Sequence, residues 1–109
     1  MQIGIRLHDV NAGLDPEFQT LERRAETARA EGFSCVHLAL SKVIRGADFD
    51  RCALTEGLAM YVRRVLAQNG LDTAVLGCYL NLAHPDPDRL RDIQSRYYGH
   101  LRVAALLGA

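Results

Sequence analysis

Apolar and polar residues alternate along three short stretches of the chain, and each is followed by a longer stretch with helical spacing. Over residues 2–8, Ile3, Ile5 and Leu7 fall on one face and Gly4, Arg6 and His8 on the other. Over residues 34–40, Val36, Leu38 and Leu40 alternate with Cys35, His37 and Ala39. A period of two predicts half-buried β-strands. A third strand is predicted over residues 72–82, with its core at 73–81; its alternation turns Gly77, Tyr79 and Asn81 to one side. Between the strands the period changes to that of a helix. Phe18, Leu21, Ala25 and Ala28 mark the buried stripe of a first helix opened by Asp15-Pro16-Glu17. Leu58, Val62, Val65 and Leu66 mark a second helix over 55–69, and Leu90, Ile93, Tyr97, Leu101 and Ala104 a third over 87–107. Gly99 inside the third helix is expected to cost about 1 kcal/mol relative to Ala.

The three helices end alike. Glycines at 32, 70 and 108 are spaced 38 residues apart, and each suits the left-handed residue that closes a helix. A repeated strand–helix unit of this length builds a parallel sheet or a β/α barrel. The strand faces favour the barrel. Sheets covered by helices on both sides read as continuous apolar runs, whereas here Arg6, His8 and His37 share one strand face. The expected fold class is α/β, a partial (β/α) TIM barrel of three parallel βα units in the order 1-2-3. All three helices should lie on one side, with His8 and His37 turned away from them. The pattern calls for a fourth strand after Gly108, so residues 1–109 are expected to be the N-terminal portion of a barrel.

Composition narrows the function. At 109 residues the chain is at most one ordinary domain. Thirteen basic and thirteen acidic residues give a formal net charge of zero, which argues against general nucleic-acid or anionic-membrane binding. Twelve of the basic residues are Arg, and Lys42 is the sole Lys. No apolar run approaches the roughly 20 residues of a membrane span, and no secretory signal is evident, so a cytoplasmic location is expected. Cys35, Cys52 and Cys78 are odd in number and widely spaced, without a C-x-x-C pair, which fits reduced thiols.

Candidate chemistry gathers at the predicted carboxyl ends of the strands, where ligands collect in parallel α/β folds. His8 and His37 stand at matching ends on the same face. Leu80-Asn81-Leu82-Ala83-His84-Pro85-Asp86-Pro87-Asp88 reads as a strand end, a tight turn and a capped helix start, with Asp86 as N-cap and Pro87 at the first helical position. It adds Asn81 and His84. The connection over residues 41–53 exceeds the usual βα loop of about two to six residues. No paired strand-end carboxylates are present for acid–base work, and no G-x-G-x-x-G, G-x-x-x-x-G-K or G-x-S-x-G occurs.

Gly4-Ile5-Arg6-Leu7-His8-Asp9, the βα spacing and above all Gly77-Cys78-Tyr79-Leu80-Asn81-Leu82-Ala83-His84-Pro85 resemble the xylose isomerase-like TIM-barrel superfamily, in particular its sugar phosphate isomerase/epimerase members. The likeness covers the whole chain, but only as three βα units of eight; a full barrel runs to about 250 residues. The resemblance implies aldose–ketose isomerisation or epimerisation by metal-assisted proton transfer on a sugar or sugar phosphate. It implies a divalent metal (Mn, Mg, Co or Zn) at the barrel mouth, with ligands and acid–base carboxylates on later strands, outside this chain. The positions it carries over are substrate-binding ones: His8, His37, Asn81 and His84.

Two alternatives stand beside it. Endonuclease IV, a zinc nuclease of abasic DNA in the same superfamily, has a similar strand-three segment. Its zinc-binding His, however, falls where this chain has Ala74, Val75 and Leu76. From another class, the chain is a non-catalytic fragment or subunit that docks on a partner, because an uncovered third strand invites self-association or a complementary barrel half.

Overall fold

The computed structural model of the chain describes residues 2–13, 16–44 and 54–109. Three strands, β1 (Gly4–Arg6), β2 (Cys35–Leu38) and β3 (Asp72–Leu76), form one parallel sheet in the order β1-β2-β3. Among the described residues four helices accompany it: α1 (Leu21–Ala30), α2 (Leu40–Val43), α3 (Glu56–Gln68) and α4 (Pro87–Leu107). The fold is mixed α/β with an open sheet. The register pairs Gly4 with Cys35, Ile5 with Val36 and Arg6 with His37. On the other side Val36 pairs with Thr73, and a bulge then brings His37 opposite Val75.

Each strand is shorter than its alternation predicts. The first gives way at Leu7–Asp9 to a 3-10 turn, the second turns into α2 after Ala39, and the third stops at Leu76. The physical reason is pairing. Gly77 N donates to Leu38 O at 2.7 Å as the last rung of the ladder, and beyond Leu38 the neighbour strand no longer runs alongside. Residues 77–81 then have no ladder partner to hold them extended. Ala39, on the His37 side of the alternation, is buried at the N-cap of α2, and Ile3, on the side that carries the core, is 56% exposed.

The helix termini follow the local chemistry. Thr55 caps α3 by accepting from Leu58 N, and Asp86 caps α4 by accepting from Asp88 N, with Pro87 next. Helix α1 starts at Leu21 behind Thr20, which accepts from Arg23 N. A separate 3-10 turn, Pro16–Phe18, stands where the helix was expected to begin. The expected Asp15 cap, the Phe18 side chain and residues 45–53 of the long connection lie outside the described residues. Gly32, Gly70 and Gly108 all adopt left-handed φ, of 96°, 65° and 77°, as the helix ends require.

One core lies on the helix side of the sheet. Val36 and Leu38 of β2 are fully buried there with Leu7, Leu21, Ala25, Ala28, Val62, Leu66 and Val103. The stripe of α4 is rotated from its expected position. Val103 and Leu107 are buried, whereas Leu101 is 48% exposed. Gly99 accounts for the rotation: a Cβ there would sit 2.9 Å from Leu54 Cδ1, so its absence lets α4 close down on that side chain.

Candidate functional site

Because Val36 and Leu38 face the helices, Cys35 and His37 face the opposite side of the sheet, and Arg6 joins His37 there by register. The 3-10 turn after β1 carries His8 to the same end. Its imidazole meets that of His37 edge to face, with ring centroids 6.2 Å apart. Tyr79, past the end of β3, brings its hydroxyl to 3.4 Å from His37 Nε2. This approach requires Gly77, since a side chain there would collide with His37 Nε2. Lys42 of α2 places its ammonium 5.0 Å from the centre of the Tyr79 ring, a cation–π arrangement.

The electrostatics of this cluster are cationic. Arg6 and Lys42 bring positive charge to it, and Asp9, the carboxylate of the cluster among the described residues, pairs with Arg6 at 2.7 Å. Asp9 also stands 3.8 Å from His8 Nε2. The His8 side chain is only 10% exposed, and its Nδ1 is buried without a hydrogen-bond partner among the described residues. Leaving such a group unpaired costs about 1–3 kcal/mol. The His8 pKa is lowered from the usual imidazole value, first by burial; Asp9 works against the shift, and Lys42, Arg6 and His37 add to it. His8 also lines an open, polar pocket of about 420 Å³ with Asp9, Asn11, Gln19 and Arg24. Gln19 fixes the wall of that pocket, donating to Asn11 Oδ1 and Gly13 O while accepting from Ala12 N.

The four residues singled out in the sequence separate into two pairs. His8 and His37 converge. Asn81 and His84 make their hydrogen bonds inside their own loop: Asn81 Oδ1 accepts from Ala83 N, and His84 Nδ1 accepts from Asp86 N. Both side chains therefore shape the turn into α4. The positions sequence reasoning did not assign to the site are Arg6, Lys42 and Tyr79. Lys42 carried a signal, being the only Lys in a chain of twelve Arg and standing just after a strand end. Burial pushes the Cys78 thiol pKa up, which disfavours its thiolate. No group of three or more His, Cys, Asp or Glu able to hold a metal ion occurs among the described residues.

No helix among the described residues is long and apolar enough to cross a membrane. No protein-family model, curated protein or solved structure matches the chain.

Proposed function

We propose that this chain contributes three βα units to a β/α barrel of the sugar or sugar-phosphate isomerase/epimerase kind, and that His8 and His37 bind substrate at its mouth. The observation that supports the reading is the edge-to-face meeting of the His8 and His37 imidazoles, with the Tyr79 hydroxyl beside His37, at the side of a parallel sheet opposite Val36 and Leu38. Imidazole and phenol groups hydrogen-bond in both directions, as a polyol ligand demands. In this role His37 and Tyr79 orient hydroxyl groups, while the exposed Arg6 and Lys42 hold the charge balance around them. The divalent metal that the resemblance implies finds no fitting donor set among the described residues, so no step is derived through it. Nor do these residues include the paired carboxylates that a proton shuttle between adjacent carbons needs. The chain by itself should bind without turnover.

The test is a titration of the His8 and His37 ring signals, by heteronuclear NMR, with an aldose, its ketose isomer and their phosphate esters. Saturable shifts confined to these rings, larger than those from glycerol, support the reading. Indifference to every sugar and every ester would sink it. Solvent deuterium at the carbon beside the carbonyl, after incubation with the chain alone, would overturn the division between binding here and chemistry elsewhere.

A second reading, a docking subunit, is favoured by the sheet itself. β1 and β3 each pair only with β2 among the described residues, and Val75 and Tyr79 are 50% and 63% exposed beside the β3 edge. Such an edge accepts a further strand, from a second copy or from a complementary barrel half.

A further inference from the structure

We propose that a second copy of this chain docks on the outer flank of α4, the two helices packing antiparallel about a two-fold axis at Tyr97. The inference rests on the docking-subunit reading above and gives it a partner, a surface and a symmetry.

Exposure, spacing and charge carry it. The inner line of α4 is Gly99, Val103 and Leu107: Gly99 closes on Leu54, and the other two are buried in the core. Leu90, Ile93, Tyr97, Leu101 and Ala104 form a second apolar line, turned about a third of the way round the helix from the first. The core leaves this second line half covered. Leu101 is exposed, and the other four are half-buried. The Tyr97 ring lies 6.4 Å from that of Tyr98, which is 67% exposed and widens the patch. Gln94 and Ala105, exposed on the same flank, carry no charge, whereas the exposed Arg91 and Arg102 lie elsewhere round the helix. A helix side meant for water would carry such charges.

The spacing selects a second copy as the occupant. Counted from Tyr97, the line falls at −7, −4, 0, +4 and +7, so it reads the same in both directions. Antiparallel pairing about a two-fold axis then sets Leu90 against Ala104, Ile93 against Leu101 and Tyr97 against itself, as an isologous contact requires. Charge agrees with that direction. Near the start of α4, Asp86, Asp88 and Asp92 outnumber Arg89 and Arg91, while the titratable residues after Asp92, which are Arg96, His100 and Arg102, are all basic. Antiparallel packing brings the acidic start of one helix beside the basic end of the other and opposes their dipoles; parallel packing would set like beside like. A formal net charge of zero adds no overall repulsion between copies. The bulge in the β2–β3 pairing blunts the β3 edge as a template, so the helix flank adds the contact that the edge lacks.

The test is sedimentation of the chain at tens of micromolar, which should find dimers. Leu101→Lys, at an exposed position, should keep the native amide spectrum and weaken dimerisation about tenfold or more, since the ammonium would lose its water in the contact. Ser95→Lys puts the same charge on the far side of α4 and should leave the dimer unchanged. Tyr97→Cys should link two copies through one disulfide under mild oxidation, beyond any link that the three native cysteines form, because a residue on the axis meets its own counterpart. Should Tyr97→Cys fail to fold, Leu101→Lys and Ser95→Lys decide the surface between them. Dimers that Val75→Lys dissociates and Leu101→Lys does not would overturn the α4 contact and leave docking at the strand edge in place. Equal weakening by Leu101→Lys and Ser95→Lys would overturn it too, as an effect of charge alone. A natively folded Tyr97→Cys that dimerises without linking overturns the axis at Tyr97. A native chain that stays monomeric overturns this proposal together with the docking reading.

Discussion

Gly77→Ala tests how closely the sheet face is packed around His37. The added methyl would fall well inside the contact distance of His37 Nε2 and 3.4 Å from Tyr79 Oη. To restore an ordinary separation of about 3.5–4.0 Å, the imidazole must withdraw by roughly 1 Å. Forcing the ring off its rotamer costs about 0.5–1.5 kcal/mol. Losing the long, exposed Tyr79 bond adds about 0.5 kcal/mol, the low end for a hydrogen bond. The backbone raises no further objection, because Gly77 is not among the residues with positive φ. Against these losses, Ala stiffens the unfolded chain and returns about 0.4–1 kcal/mol. The net expectation is a change between none and a destabilisation of about 1.6 kcal/mol, together with displaced His37 ring signals. Gly57→Ala is the control. That glycine lies in α3 with only Thr55 Oγ1 at 3.8 Å from its would-be Cβ, so the same substitution should stabilise by about 0.5–1 kcal/mol. Urea denaturation of the two variants and an imidazole spectrum of the first decide the matter. Gly77→Ala as stable as Gly57→Ala, with His37 unmoved, would refute the packing described for this face.

Leu38→Ala removes a fully buried side chain from the middle strand and should cost about 2–5 kcal/mol, a large part of the roughly 5–15 kcal/mol that holds a small domain folded; denaturant titration measures it. His8 binds its proton less readily in the folded chain than in the unfolded one, so the unfolded state takes up more protons near and below pH 6.5. Its contribution to stability should be present above that pH and be lost as the pH falls from there towards the folded pKa. Melting curves from pH 7.5 down to 5 should slope less for His8→Gln than for the native chain, and an unchanged slope would contradict the burial of His8. The open β3 edge should make the chain self-associate at tens of micromolar, and Val75→Lys should oppose this by placing a charge beside that edge. Sedimentation that finds the native chain monomeric there would remove the docking-subunit reading.

What the sequence determined by itself was local or periodic. Parallel βα units follow from the alternation of Val36 and Leu38 against Cys35 and His37, and from helix ends punctuated by Gly32, Gly70 and Gly108. These signals are legible because capping, left-handed φ and face alternation are decided by residues within one or two turns of each other. His37 was legible for the same reason, since strand alternation sets its side of the sheet; His8 reaches that end through the 3-10 turn Leu7–Asp9, which the alternation did not foresee. The strand ends were decided only in three dimensions, because a strand lasts as long as its neighbour offers hydrogen bonds, and the neighbour of residues 77–81 turns away after Leu38. Tertiary packing also decided which face of α4 is buried. Gly99 counts as a defect by helix propensity, yet it is the point where the helix closes on Leu54, a contact 45 residues away in the chain. The same holds for the site. Lys42, Tyr79 and Gly77 belong beside His37 only because the sheet sets the second and third units next to one another, a juxtaposition that no spacing along one segment encodes.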